Sequence, residues 1–391
     1  MTQPSVQSSR SSVHSSGLAL AALLLLSLAL RLPAYFIPHV ENDEQIYQTL
    51  ADKVARDPLD YSLRGTELLA HLPREIYDTP LYERPPLFVF VLAAFRGVLG
   101  EAWGILVPVL AGTLTLLATY AVARELYGSE LALRSAAIAS LCPLLLFCSV
   151  RILIEALLVL LVTTTVWLCL VATRKRSTGL FAATGVVLGL TLLTKETGLL
   201  VAPVCLFALF REGPRREKAR FLVPLALGAL ATAAPWYLHV YSVLGTFVVW
   251  RSSISPEYME RFPFIREIAL RPWHFYASNL ALCAPVYVLG WIEGLDQARR
   301  KLVSTELVWG AAFLLPLTWL GMRGGGYQTR YLLPAVPAFA ILAARALQGR
   351  GRWLWFAALV FLALGLLTGI MNSLMSKPAD LLPLHELVRA G

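Results

Sequence analysis

Charge is what this chain has least of. Only 15% of its 391 residues are Asp, Glu, Lys or Arg, while 57% are hydrophobic; a soluble domain carries roughly 25% charged residues. With a mean hydropathy of +0.63, that balance excludes an ordinary soluble fold and implies a multi-span membrane protein. Cysteine is scarce as well. Cys142, Cys148, Cys169, Cys205 and Cys283 lie in apolar runs without CxxC spacing, which leaves no signal for a disulfide framework or a zinc site. No internal repeat is evident, and the only biased stretch is the Ser-rich N-terminus. The net charge of +9 does not indicate a nucleic-acid partner, because the basic residues gather in short connections between apolar runs.

Those runs lie at 17–37, 103–123, 131–149, 153–173, 179–194, 197–210, 221–241, 275–292, 303–321, 331–347 and 354–374. Most approach the ~20 residues a helix needs to cross a bilayer, so the expected fold is an all-α integral membrane protein with about 11 transmembrane helices. Leu32-Pro33-Ala34-Tyr35 offers no small-x-small cleavage site after the first run, which therefore reads as an uncleaved span and not a signal peptide. Residues 1–17 read as a disordered cytoplasmic tail. Arg124 and Arg134, Arg174 to Arg176, Arg211 to Arg220, Arg299 to Lys301, and Arg345 to Arg352 all fall on the side of the N-terminus, which the positive-inside rule makes cytoplasmic.

The segment "PPLFVFVLAAFRGVLG", 85–100, is too short for an ordinary crossing, and counting it as one would invert every basic connection downstream. It reads as a re-entrant or interfacial helix. The expected membrane domain then covers 18–374, with a first extracytoplasmic loop over 38–102 and a second over 242–274. A short extracytoplasmic tail follows over 375–391.

The first loop opens with "VENDEQIYQTLADKVARD", 40–57, which holds five acids next to an oily run. Ile46, Tyr47, Leu50 and Val54 recur at spacings of three and four, predicting a short helix with one apolar face suited to lying in the interface. Asn42 or Asp43 can cap such a helix and Glu44 can be a solvated charge. Alternatively one acid, held where a span ends, serves as a base while its neighbour supports it, since adjacent helical residues face different ways.

A second cluster is "YERPPL", where Pro85 and Pro86 keep Glu83 and Arg84 out of the following helix. Further charges punctuate apolar segments: Arg151 and Glu155 four apart, Lys195-Glu196, and Arg330-Tyr331. Ionisable groups in such positions are costly and mark function, the plain alternative being mutual pairing, as between Arg151 and Glu155. All of them fall on the outer side of the expected topology. A transporter or lipid flippase is the rival class, but the charges gather on one face instead of at the midplane.

The order "DEQIY", "YERPPL", "RILIEALL", "LTKETG", "APWYL" and "RYLLPAVP" resembles the GT-C superfamily of membrane glycosyltransferases, in particular the PMT/ArnT-like relatives of protein O-mannosyltransferases and aminoarabinose transferases. The resemblance runs from about 18 to 347. It implies a GT-C-type helical bundle in the plasma (inner) membrane that moves a sugar from a polyprenyl-phosphate carrier to a lipid, glycan or protein acceptor at the outer face, with inversion. By the same resemblance Asp43 matches the catalytic carboxylate, Glu83 and Arg84 match the acid and base of the E-K/R-P-P segment, and Tyr331 matches a tyrosine near the carrier phosphate. This sequence departs from many relatives in having Glu196 where a glycine follows the lysine, and in ending at Gly391 where they continue into a soluble domain.

The chemistry fits these residue types. An attacking hydroxyl or amine needs a base within about 3 Å, a role for Asp43 with Glu44 or Glu83 beside it. A leaving phosphate monoester, with a second pKa of about 6, departs as an anion when fixed cations meet it. Arg84, Lys195 and Arg330 are the expected donors to that phosphate with Tyr331, supported by Arg151, Glu155 and Tyr47; Arg251, Arg261, Arg266 and Arg271 of the second outer loop are further candidates. No cofactor is required, although the first loop has acids enough to hold a divalent cation.

Overall fold

The computed structural model describes residues 6–36, 38–39, 42–72, 77–212, 218–247, 270–283, 285–323 and 328–351, with 355, 356, 359, 360 and 363 beyond them. Every regular element among these is helical. In chain order the helices that matter are α1 (Val6–Arg31), α2 (Asn42–Val54), α3 (Leu87–Leu99), α4 (Leu106–Tyr127), α5 (Ser129–Ser140), α6 (Pro143–Ser149) and α7 (Ile154–Lys175). They continue with α8 (Thr178–Leu192), α9 (Ala202–Glu212), α10 (Lys218–Leu244), α11 (Phe275–Cys283), α12 (Val286–Arg299), α13 (Thr305–Met322) and α14 (Val336–Ala346).

Five stretches among the described residues are individually long and apolar enough to span: Gly17–Phe36, Glu101–Tyr127, Ile154–Lys175, Lys218–Leu244 and Thr305–Met322. Among the other expected crossings, 179–194 is a single short helix, α8, of 15 residues, and others are broken. Run 131–149 divides into α5 and α6, bent by 65°, because Pro143 opens α6 without an N–H to continue α5. Runs 197–210 and 331–347 each begin as a 3-10 turn, Glu196–Val201 and Thr329–Ala335, before α9 and α14. Helix α1 starts at Val6, inside the serine-rich segment expected to be a disordered tail; extending a helix already nucleated by an apolar run costs little. Most of the 354–374 run, the 375–391 tail, and Arg251, Arg261 and Arg266 of the second loop lie outside the described residues.

Close packing rests on small residues. A Cβ on Gly185 of α8 would lie 2.1 Å from the Leu225 carbonyl oxygen of α10, and one on Gly228 would lie 2.4 Å from that of Ala182. The two backbones therefore touch in the manner of small-residue membrane interfaces.

The first loop carries its own core. Ile46, Tyr47, Leu50 and Val54 of α2 are all buried, against Phe88, Val89 and Leu92 of α3. The apolar face expected to lie in the interface is thus covered by the rest of the loop. Helix α3 has 13 residues, about 20 Å, well short of the ~30 Å hydrocarbon core, and it ends at Gly100 with φ +100°, where only glycine is unstrained. Its Arg96 is buried and grips Asp52 of α2 through both carboxylate oxygens, at 2.8 and 2.9 Å.

The bundle has two chemically distinct ends. Helix α7 is 22 residues long, about 33 Å. Its N-terminus carries Glu155, while at its C-terminus Arg174 meets Glu125 of α4 at 2.6 Å. At that same basic end Arg211 reaches the Val303 carbonyl at 2.7 Å and Arg345 reaches Tyr127.

Candidate functional site

The other end of the bundle gathers the expected acids and bases. Helix α2 presents Asp43 and Glu44 in its first turn, where the helix dipole favours negative charge. The Glu83-Arg84 loop is kept out of α3 by its prolines and tied down twice: Leu87 N–H donates to the Leu193 carbonyl at 2.8 Å, and Tyr61 Oη donates to that of Pro85 at 3.4 Å. Arg330 and Tyr331 arrive on the turn Thr329–Ala335. Lys195, just beyond α8, is extended with φ −161°.

Asp43 is the hub. One carboxylate oxygen accepts from Arg84 Nη2 at 2.9 Å, and the other pairs with Arg330. Glu155, 1% exposed, accepts from Lys195 Nζ at 3.0 Å and lies 3.4 Å from Arg330 Nε. Lys195 also sits 3.9 Å from the centre of the Tyr331 ring, and Arg84 5.1 Å from that of Tyr47, so aromatic faces share in holding the cations. Three polar atoms of this group, Arg84 Nε, Arg330 Nε and Glu155 Oε2, are buried without a hydrogen-bond partner. Burial alone would push the Asp43 carboxyl up, but Arg84 and Arg330 hold it well below the usual carboxylate range.

The capping alternative for Asp43 gives way to this ion-paired role. The pairing of Arg151 with Glu155 gives way too: both lie near the start of α7, but Arg151 precedes the first turn and Leu153 is extended, so the four-residue helical spacing does not operate. Arg151 instead reaches Glu44 at 3.3 Å, and Glu155 faces Lys195 and Arg330.

Glu44 is fully buried. Its Oε1 meets His39 Nδ1 at 2.8 Å and accepts the Ile152 N–H at 2.8 Å. It thereby binds the start of the first loop to the segment before α7, as a strut next to Asp43.

Among the described residues the Glu83 side chain has no hydrogen-bond or ion-pair partner in another residue, only its own backbone. Burial raises its pKa against the pull of Arg84. Glu196, which also lacks such a partner, is pushed up to about 7 by burial, with the charge of Glu83 adding to it. Beside Glu83 stands an aromatic wall: Tyr61, Tyr82 and Trp236 lie with ring centres 5.1 to 6.1 Å apart, and Tyr82 Oη is 3.3 Å from His239 Nε2. His39 and this wall were not singled out from the sequence. The aromatic content of "APWYL" and a histidine five residues before an acid were the available signals. Of the second-loop arginines, Arg271 is described; it lies over Phe275, 4.8 Å from the ring centre.

Residues 83–239 match the family model for dolichyl-phosphate-mannose-protein mannosyltransferases. The fold is similar to that of ArnT from Cupriavidus metallidurans bound to undecaprenyl phosphate, with a TM-score of 0.64 and 18% identity over 92% of this chain and 64% of that one. It is also similar to that of the oligosaccharyltransferase AglB from Archaeoglobus fulgidus in complex with an inhibitory peptide and a dolichol-phosphate: TM-score 0.57, 15% identity, 92% of this chain and 55% of that one. No protein of curated function matches the chain in sequence. The chain thus has the GT-C membrane fold that its motifs resemble, and spans about two thirds or less of the length of these structural relatives.

Proposed function

We propose that the protein is an inverting glycosyltransferase that uses a polyprenyl-phosphate sugar and acts at the extracytoplasmic face of the plasma (inner) membrane. The observation that carries this reading is one carboxylate, Asp43, held between two arginines with Lys195 alongside, at the end of the bundle opposite the basic connections. Charges strung along a transport path would not collect in this way.

In the proposed step an acceptor hydroxyl or amine attacks C1 of the sugar and gives its proton to Asp43. The C1–O bond to phosphate breaks, and the carrier monophosphate leaves on Arg84, Arg330 and Lys195. Arginine can hold two phosphate oxygens at once, and lysine adds a point charge. With both oxygens engaged by guanidinium groups, Asp43 is a weak base; it becomes a competent one when the donor phosphate draws the arginines to itself. With three cations at hand, charge balance does not call for a divalent ion. Tyr331 and Tyr47 keep the lysine and Arg84 in place, and the aromatic wall offers the sugar or its prenyl chain an apolar face.

The test is to incubate the purified chain with a panel of radiolabelled polyprenyl-phosphate sugars and follow release of the carrier. Release from at least one donor, abolished in Asp43→Asn, is expected. A protein that binds none of the donors and releases none would overturn the reading.

A further inference from the structure

A separate cavity lies away from this site. About 560 Å³ in volume, it opens between the C-terminal ends of α12 and α14, with Leu289, Ile292 and Leu295 on one wall and Arg299, Arg300 and Arg350 at its mouth. The turn Thr329–Ala335 and α14 together contain 7 and 11 residues, about 30 Å of helix. That matches a membrane thickness, which sets this cavity at the end of the bundle opposite Arg330. Trp355, of a residue type favoured at headgroup depth, donates from Nε1 to the Leu347 carbonyl of the cavity wall at 3.0 Å.

The charges at the mouth are unevenly spent. Glu293 meets Arg345 at 3.5 Å and accepts from Gln297 at 2.8 Å, and Asp296 pairs with Arg300 at 2.9 Å. Arg299 and Arg350 have no side-chain hydrogen bond or ion pair among the described residues. Arg299 closes the last turn of α12, where the helix dipole favours a cation; Arg350 lies beyond α14 and has no such cause. Below them Ile292 and Leu295 are each 58% exposed, an apolar slope leading toward the hydrocarbon.

We infer that this cavity is a binding site for an anionic phospholipid of the leaflet facing the basic connections: Arg299 and Arg350 take the headgroup phosphate, and an acyl chain lies along Ile292 and Leu295. Cation pairs of this kind recognise the phosphate that every phospholipid carries, and the surplus positive charge selects headgroups without a compensating amine. The site is separate from the proposed transfer chemistry, and its occupancy does not depend on it.

The experiment uses the full chain in bilayer nanodiscs of equal phosphatidylglycerol and phosphatidylcholine, with retained lipids counted by native mass spectrometry after release. Each arginine near an anionic surface favours it by about fivefold, so the wild type should retain phosphatidylglycerol about 25-fold over phosphatidylcholine. The double variant Arg299→Gln/Arg350→Gln should lose that preference, and Arg299→Lys/Arg350→Lys should keep most of it. Both variants change exposed side chains, and unchanged thermal unfolding serves as the folding control. Equal preference in wild type and the glutamine variant, or none in the wild type, would overturn the assignment. Displacement of the lipid by millimolar inorganic phosphate would likewise overturn it, in favour of a soluble anion.

Discussion

Replacing Asp43 with Asn separates the two duties that the structure gives this carboxylate. As the proposed base it is worth the 10² to 10⁴-fold typical of positioned proton acceptors, and the amide cannot take a proton, so transfer should fall by at least about 10². As the present partner of Arg84 and Arg330 it competes with the carrier phosphate for the same two groups. A charge-assisted hydrogen bond contributes about 1.5–3 kcal/mol and a neutral one about 1. The amide keeps one acceptor oxygen and turns an NH2 toward the other arginine, so one charge-assisted contact is lost, about 1.5 kcal/mol of competition at the low end of that range, or roughly tenfold in affinity.

The variant should consequently bind polyprenyl phosphate about ten times more tightly while transferring almost nothing. Isothermal titration with the carrier in detergent, run beside initial transfer rates, measures both. Weaker carrier binding in Asp43→Asn would show that Asp43 organises the arginines for phosphate instead of restraining them. Turnover within a few-fold of wild type would remove Asp43 from the chemistry.

Arg330→Ala should weaken carrier binding and slow transfer together, with Arg330→Lys restoring only part of each, because lysine cannot make a two-pronged contact with phosphate; equal recovery by lysine in the same titration would argue for a point-charge role. Glu44→Gln, at a fully buried carboxylate with three partners, should cost about 2–3 kcal/mol of stability and lower the unfolding temperature, while turnover per folded molecule stays near wild type. Glu196, raised to about 7, stabilises the fold fully below its unfolded pKa near 4.5 and loses that contribution as pH rises through 7. The unfolding temperature should therefore fall between pH 5 and 8 in wild type and fall less in Glu196→Gln. Gly185→Leu drives a side chain into a backbone carbonyl 2.1 Å from its own Cβ, and should abolish recovery of folded protein on size-exclusion chromatography.

The site was legible in the sequence because a membrane chain advertises its charges: Asp43, Glu83, Arg84, Glu155, Lys195 and Arg330 each interrupt or border an apolar run, and five of the six meet within ion-pairing or buried contact at one end. What spacing could not supply was who pairs with whom. Arg151 and Glu155 stand four positions apart, but the helix that would align them begins only at Ile154, and the extended residue before it turns Arg151 toward Glu44. The apolar stripe of α2 was correctly read, but its burial against α3 depends on a contact across some forty residues of chain. The breaks at Pro143 and at the 3-10 turns escaped because hydropathy measures how much apolar chain is present and is blind to its direction. His39 stands alone in the sequence and acquires meaning only once Glu44 is beside it.

The main-chain bond from Leu87 to Leu193 joins the loop that carries Arg84 to the end of α8 that carries Lys195. These two cations therefore sit on one tied unit, a single jaw, while Arg330 stands on another element, the turn that leads into α14. Asp43 is the rivet that joins Arg84 to Arg330 across the two jaws, beside Glu155, which lies between Lys195 and Arg330. On the proposed chemistry a carrier phosphate replaces that rivet with itself, and departure of the spent carrier lets the jaws close on Asp43 again. Product release would then also rearm the lock, leaving the acid muted until the next donor arrives and sparing bound acceptors from a base with nothing to transfer.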